Sequence, residues 1–323
     1  MAILRRLRVA GTAFTPAAEL GEPVSLAARI YLLCEAGYEI EHHPHFGYRL
    51  LSSPDRLIAD DILSRLPECR WIRDVLVFES TASTNDVVAN LARDGAGAGV
   101  AAFAEEQTAG RGRHGRKWES DPHQGLWFSI LLRPDFPVAK WTRLTLWIAY
   151  AVAHGIRQYI TDARLGVEPA RIKLKWPNDL FLSGRKFAGI LAETSLGEKP
   201  FAVAGIGLNV NHSTFPAPLD ATATSLLMEL GVEFDRNALA AAILFSLDQS
   251  FSLLPNKFQQ IVDWASGVDY LKGRSVSATV GSTIHDGAAD GLDAEGALLI
   301  RTKRGETVRV ASGEVSRFSS ETE

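Results

Sequence analysis

The stretch GRGRHGRKW, Gly110 to Trp118, decides how this chain is read. Gly110, Gly112 and Gly115 satisfy the pattern G-x-G-x-x-G, and Arg111, Arg113, Arg116 and Lys117 place four fixed positive charges around them. A dinucleotide-binding loop would need a strand before Gly110 and a helix opening after Gly115. A strand is available, but the following RKWESDPHQG has no apolar periodicity and contains Pro122, which speaks against a doubly wound nucleotide fold. No G-x-x-x-x-G-K-S/T loop occurs either. An Arg-Gly arm could hold nucleic-acid phosphates without sequence preference. Such arms usually sit in disordered tails, whereas apolar, strand-like segments flank this one. A solvated basic loop without a ligand is the plainest alternative. The remaining reading is a loop that folds over a small anion. Glycines let backbone N–H groups approach, arginines offer bidentate contacts to carboxylate or phosphate, and Trp118 supplies a flat apolar surface.

The rest of the chain sets the frame for that loop. With 34 Lys and Arg against 38 Asp and Glu, the net charge of −4 gives no overall attraction to nucleic acid or anionic membrane, so any basic site is local. Hydrophobic residues at 46% of 323 supply a core for two or three domains. Cys34 and Cys69 form neither a disulfide framework nor a metal-binding pair. No apolar run approaches the ~20 residues of a membrane span, and MAILRRLRVAGTAF makes a poor signal peptide. A cytoplasmic protein without membrane contact is expected.

Three blocks follow from patterning, and together they predict an α+β protein. In residues 1–65, the stretch 17–36 contains a helix in which Leu26, Ile30, Leu33 and Cys34 recur at helical spacing, with Gly37 as its C-cap. YEIEHHPHFGYRLL then reads as two short strands, and residues 57–67 as a connecting helix. Helices with a small β-hairpin suggest a winged helix-turn-helix. Residues 66–269 read as a mixed-sheet α/β domain. Ser83 and Asp86 fit a capping box at a helix start, residues 141–160 form a long helix, and Ile172, Leu174 and Trp176 alternate with Lys173 and Lys175 in a strand that Pro177 ends. LFLSGRKFAGILAE reads as a hairpin turning at Ser183-Gly184, FAVAGIGLNV as a strand, and two or three helices follow, one opening at Asp235. Residues 270–323 carry short strands, SVSATVG, ALLIRT and TVRVA, with tight turns, as in a small SH3-like barrel.

Four segments, ESTASTND, EEQTAGRGRHGRKW, KLKWPNDLFLSGRKFAGILAE and GIGLNVN, occur in that order over residues 79–211. Together they resemble biotin protein ligases, and the resemblance continues more weakly through the C-terminal block. The N-terminal block resembles the winged helix of the bifunctional members that also repress transcription. The resemblance implies a central domain of the biotin/lipoate ligase type. It also implies the reaction: ATP and biotin give biotinyl-5′-adenylate and pyrophosphate, and biotin then passes to one lysine of a biotin carboxyl carrier domain. A carboxylate must meet an α-phosphate, so two anions need neutralising and aligning.

The resemblance also implies residue roles. Ser83, Thr84, Asn85 and Gln107 would line the biotin ureido end, although Ser83 taken alone reads as a helix cap. Gly110, Arg111, Gly112, Arg113 and Gly115 would close over biotin and its adenylate, with Arg113 retaining the intermediate. Arg116 and Lys117 would face the ATP phosphates, and Trp118 would wall the adenine or the biotin chain. Lys186 would sit between carboxylate and α-phosphate as the chief catalytic group, with Lys175 reaching phosphate. Asn178 would touch nucleotide or metal, Asp179 would serve as base or orienter for the acceptor lysine, and Asn209 would bond the adenine. Mg²⁺ is expected with ATP, held mainly by phosphates rather than by a protein metal site. His42, His43 and His45 have no partner set for a metal and read as decoration of the hairpin.

The N-terminal block departs from a repressor. Its candidate recognition run, EPVSLAARIYLLCEAG, carries one basic residue, Arg29, while Arg5, Arg6 and Arg8 lie earlier. DNA binding is therefore expected to be weak or absent. A biotin-sensing DNA-binding repressor with little ligase activity is the alternative function; a lipoate or octanoate ligase of the same broad fold fits the motifs less well. A homodimer and a monomer are equally compatible with the sequence.

Overall fold

The computed structural model describes residues 2–167 and 171–318. The chain begins with helices α1 (Ala2–Ala10), α2 (Ala17–Leu20) and α3 (Pro23–Glu35), followed by the antiparallel hairpin β1 (Glu39–His43) and β2 (Gly47–Ser52). The helix expected within residues 17–36 is α3, which carries Leu26, Ile30, Leu33 and Cys34 and ends before Gly37. Pro23, which lacks an N–H and suits only a first turn, starts it, and the short α2 stands before it, beyond Gly21. Ile3, Leu7, Leu20, Leu26 and Ile30 form a small core of their own, with Tyr48 and Leu50 of β2 against it.

Helix α4 (Ala59–Arg65) leads into β3 (Asp74–Thr81), α5 (Thr84–Arg93), β4 (Val100–Gln107), β5 (Gly125–Leu132) and the long helix α6 (Arg143–Asp162). Strands β6 (Lys173–Lys175), β7 (Asp179–Leu182), β8 (Arg185–Ser195) and β9 (Phe201–Asn209) complete a seven-stranded sheet in the order β3-β4-β5-β9-β8-β7-β6. Only β3 and β4 run parallel; every other neighbouring pair is antiparallel. The β7–β8 hairpin turns at Ser183 (φ 47) and Gly184 (φ 79), the paired positive φ values that a two-residue turn of this hand requires. The sheet is covered on one face by α6 and by α8 (Arg236–Ser250), which follows α7 (Leu226–Leu230). Their contact buries Trp147, Ile148, Val152, Ile243 and Leu247 against Phe103 and Phe128 of the sheet. Short α9 (Leu253–Asn256) and α10 (Phe258–Gly267) extend that layer.

The other face is only partly covered. Helix α5 packs Val88 and Ala92 on Ala102, Leu131 and Val203 at one end. Beyond Val203 the same face of β9 continues with Gly205, Gly207 and Asn209, since strand residues alternate. The uncovered part of the sheet is therefore floored by glycine.

The last block is one antiparallel sheet, β10 (Ser275–Val280), β11 (Thr283–Leu292), β12 (Leu298–Arg301), β13 (Thr307–Val310) and β14 (Glu314–Phe318), in the order β13-β12-β11-β10-β14. Its core, Val276, Ala278, Ala289, Leu298, Ile300, Val310 and Val315, also takes in Trp176 from the turn after β6. The Trp176 indole N–H donates to Gly296 O at 3.0 Å, and Arg143 of α6 makes a bidentate pair with Glu295. These two contacts hold the small sheet against the large one. Among the described residues no helix is long and apolar enough to cross a membrane.

Candidate active site

No helix opens after Gly115. The chain makes one tight turn at Arg113–Gly115, with His114 at φ 57 and Gly115 at φ 73, and turns again at 122–124 before entering β5. The loop is a miniature hairpin. Arg111 bridges Lys117, Gly112 N donates to Arg116 O at 2.7 Å, and Trp118 N donates to Gly110 O at 2.9 Å. It folds back over the glycine floor. A Cβ on Gly207 would lie 2.4 Å from the Trp118 ring, one on Gly189 2.8 Å from it, and one on Gly205 2.3 Å from Asn85 Oδ1. Gly189 and Gly207 are cross-strand partners, so two absent side chains make one flat bed for the indole.

Under the loop lies a cleft of about 150 Å³ lined by Ser83, Thr84, Asn85, Gln107, Arg111, Gly112, Arg113, Trp118, Asn178, Asp179 and Lys186. Its inner end is polar. Gln107 Oε1 accepts from the Thr84 backbone N–H at 2.9 Å, and the Thr84 and Ser129 hydroxyls are 2.7 Å apart. Ser129 Oγ lies 2.5 Å from Asn85 Oδ1, and Asn85 Nδ2 donates to Glu193 Oε2 at 2.5 Å. These buried groups fix one another and present donors and acceptors at one end of the cleft. The capping box expected at Ser83 and Asp86 does not form. Ser83 is the N-cap residue but makes no cap bond. Gln107 instead serves the Thr84 N–H, and the Asp86 carboxylate is taken by Arg111 at 2.6 and 2.7 Å.

A second cavity of about 690 Å³ opens on the far side of Trp118. Asn209, His212, Phe215, Pro216, Pro218 and Leu219 line it, and Arg116, Lys117, Trp118, Lys175, Asp179 and Lys186 belong to both cavities. The segment from His212 to Thr224 is held beside β8 by Lys186 N donating to Thr222 O and Thr224 N donating to Lys186 O, at 2.8 and 2.9 Å. Asn209 Nδ2 donates to Thr224 O at 3.0 Å. His212 stacks on Phe215, and burial pushes its imidazole down to about 4, partly opposed by Asp121, so the ring is neutral at pH 7.

Lys186 Nζ sits at the junction, 2.7 Å from Asp179 Oδ1 and 5.1 Å from the centre of a Trp118 ring. Lys175 stands nearby, and burial, more than the neighbouring Lys186, pulls its ammonium below the usual range while Asp179 opposes. Arg113 is lowered by burial too; it donates to Asn178 Oδ1 (3.3 Å) and to Gly313 O (2.9 Å). Arg116 pairs with Glu314, and Lys117 with Glu119 at 2.9 Å. Five cations thus crowd a junction bordered by three carboxylates, Asp179, Glu314 and Glu119. Asn178 is engaged by the protein on both ends of its amide, since Nδ2 also holds Ile190 O at 3.0 Å.

Most of the residues singled out from sequence are gathered here. Asn209 lines only the second cavity, and Gly110 and Gly115 shape the loop without lining either. Sequence reasoning missed Ser129, Glu193, Glu314 and the glycine floor. The one hydroxyl in the apolar run GLWFSILL, and glycines at alternate positions in AGIGLN, were the available signals. Among the described residues no three His, Cys, Asp or Glu side chains gather to hold a metal. His43 Nδ1 faces the backbone N–H groups of His45 and Phe46 at 3.2 and 3.3 Å, and His42 stacks on Tyr48.

Two of the three N-terminal arginines bond within the protein, and Arg6 is exposed. Arg8 donates to Asp61 Oδ1 at 2.5 Å and to Ser53 Oγ, while Arg5 donates to the carbonyls of Leu63, Ser64 and Leu66 at the end of α4. The exposed face of α3 carries Ala27, Ala28, Tyr31 and Leu32 beside Arg29.

Residues 77–211 match the model of the biotin/lipoate A/B protein ligase family, and residues 273–317 that of the biotin protein ligase C-terminal domain. The chain is 34% identical over 279 residues to the bifunctional ligase/repressor BirA of Bacillus spizizenii, covering 84% of this chain and 83% of that protein. It is 37% identical over 257 residues to the biotin–[acetyl-CoA-carboxylase] ligase of Mycobacterium tuberculosis, covering 75% of this chain and 88% of that one. A solved biotin protein ligase from Aquifex aeolicus, in complex with biotin and ATP, superposes with a TM-score of 0.65 at 30% identity. That superposition covers 76% of this chain and all of that one. With its glycine-floored cleft and cationic junction, this chain belongs to the biotin protein ligase family.

Proposed function

We propose that the chain activates biotin with ATP and transfers it to a lysine of a carboxyl carrier domain. The observation that carries this reading is the shared wall: one cavity ends in neutral polar groups, the other is suited to a nucleotide, and they meet at Lys186. Biotin enters with its ureido ring toward Ser83, Thr84, Asn85 and Gln107, and its carboxylate toward Lys186. ATP lies in the second cavity, with its base near Asn209 and its phosphates toward Lys175, Arg116 and Lys117. A carboxylate oxygen attacks the α-phosphorus and pyrophosphate leaves. Arg113 and Lys186 offset the charge that accumulates on the pentavalent centre. The loop, closed over the mixed anhydride, excludes water that would hydrolyse it. The acceptor lysine, mostly protonated at pH 7 with an ordinary value of ~10.4, must lose a proton before attacking the acyl carbon. Asp179 is placed to orient it, and AMP departs as the amide forms. Mg²⁺ arriving with ATP would be held mainly by phosphate oxygens, since Asp179 and Glu314 already face cations.

We assign residues 1–65 to a winged helix-turn-helix, 66–269 to the catalytic domain and 270–323 to an SH3-like barrel; residues 319–323 lie outside the described part. With Arg5 and Arg8 bound internally and α3 largely apolar outside, we expect no tight operator binding. Sequence-specific binding at physiological salt would overturn that. The ligase reading is tested by biotin-dependent ATP–pyrophosphate exchange. Lys186→Ala should lower exchange by about a hundredfold or more, with melting unchanged. Exchange driven by lipoate or octanoate but not biotin would reassign the substrate, and no exchange with measurable biotin binding would favour a sensor.

A further inference from the structure

Two anchors hold the 110–118 hairpin, and they differ in what surrounds them. On the side of the C-terminal sheet, Arg113 bonds Gly313 O and Arg116 pairs with Glu314. Both arginines line the first cavity, and Arg116 also lines the second, so incoming phosphates compete with Glu314 for it. On the opposite side, Arg111 makes a fork-to-fork pair with Asp86, Nη1 to Oδ2 at 2.7 Å and Nη2 to Oδ1 at 2.6 Å, with Glu193 Oε2 at 3.9 Å. Arg111 borders only the first cavity, so nothing in the nucleotide cavity displaces this pair.

Asp86 belongs to the first turn of α5, directly after Thr84 and Asn85, which line the polar end of the first cavity. A carboxylate there is favoured by the helix dipole, and the bidentate guanidinium fixes orientation as well as distance. The pair thus refers the loop to the same rigid turn that holds the ligand's far end. The Asp86 charge does no capping of its own helix, which removes its most ordinary structural role.

We propose that Asp86 is a positioning residue that latches Arg111 and sets how long the activated acyl-adenylate stays enclosed, more than how fast it forms. The inference rests on the ligase reading above. Half-exposed ion pairs are weak, so the effect is modest in size and specific in kind.

The test uses the full-length protein loaded with labelled biotin and ATP in the presence of pyrophosphatase, then chased with unlabelled biotin. Asp86→Asn should speed release of the intermediate about three- to fivefold, and lower saturating exchange by less. Arg111→Ala should do the same, and the double variant should release no faster than either single one, because the two side chains act as one unit. Asp86→Glu should recover part of the retention. Raising salt from about 50 mM to about 500 mM should speed release more from the wild type than from Asp86→Asn, since the variant keeps only the Arg116–Glu314 pair and the longer Arg111–Glu193 approach to screen. Wild-type retention in a folded Asp86→Asn protein, additive single effects, or equal salt dependence in both would overturn the latch. A wild-type protein that forms no biotin-dependent intermediate would overturn the ligase reading, and the latch with it.

Discussion

The chain carries two arginine clusters, and their fates are opposite. Arg5 and Arg8 face inward, toward carbonyls at the end of α4 and a carboxylate with no exposed surface. Arg111, Arg113 and Arg116 stand around an open cleft, and their partners are a backbone carbonyl, the Asn178 amide oxygen, the half-exposed carboxylate Asp86 and the partly exposed Glu314. Breaking a buried pair leaves an uncompensated charge and costs several kcal/mol; breaking an exposed one costs about 1 kcal/mol or less. The first cluster is therefore committed to structure, whereas in the second the Arg116–Glu314 pair can be given up at little cost. A run of basic residues acquires meaning only from how cheaply its partners can be given up.

The contrast can be broken by exchanging the roles. Asp61→Ala takes from Arg8 its carboxylate partner in a largely buried setting, leaves Arg65 with Asp235 alone, and should cost about 3 kcal/mol in denaturant unfolding, with exchange activity of the folded fraction intact. A loss under 1 kcal/mol would mean that the N-terminal arginines are as replaceable as those of the loop. A pH titration of stability sharpens the contrast next. The imidazole of His212 is held near 4 by burial, below its ordinary ~6.5. The unfolded chain takes up a proton at the ordinary value and the native one does not, so this contribution is complete above pH 6.5. It is lost as pH falls toward 4, by at most ~1.4 kcal/mol per unit. His212→Gln should flatten that slope; an unchanged slope would place the ring in water. The smallest effect is expected at Arg116→Ala. Its exposed pair with Glu314 should change stability by no more than about 1 kcal/mol, while the KM for ATP rises. A large melting shift there would erase the distinction between the clusters.

What could be read from sequence was local. Ser183-Gly184 declared its turn because both residues sit at positive φ, and Ile172, Leu174 and Trp176 declared their strand by alternation. Strand β11 was missed: Gly287, Asp290 and Gly291 interrupt its pattern, and its register shifts between Ala289 and Gly291. The helix expected within residues 17–36 formed as α3, because Leu26, Ile30 and Leu33 share one face. In the site, the motifs pointed to the loop, Lys186 and the KWPND turn. Ser129 and Glu193 act through Asn85, 44 and 108 residues away, and the alternate glycines of β9 show as a floor only once Trp118 is folded over them, so their short-window signals did not declare a site. The capping box failed for a related reason: its carboxylate had a better partner 25 residues away.

Trp118 belongs to both cavities, and this gives the two substrates a common thermodynamic account. Whatever settles the indole against Gly189 and Gly207 also sets a wall of the neighbouring cavity. If biotin tightens the hold on ATP through that ring, ATP must tighten the hold on biotin by the same factor, because the coupling is a property of the ternary cycle and not of either ligand. Any such coupling would run through one side chain and need no second subunit.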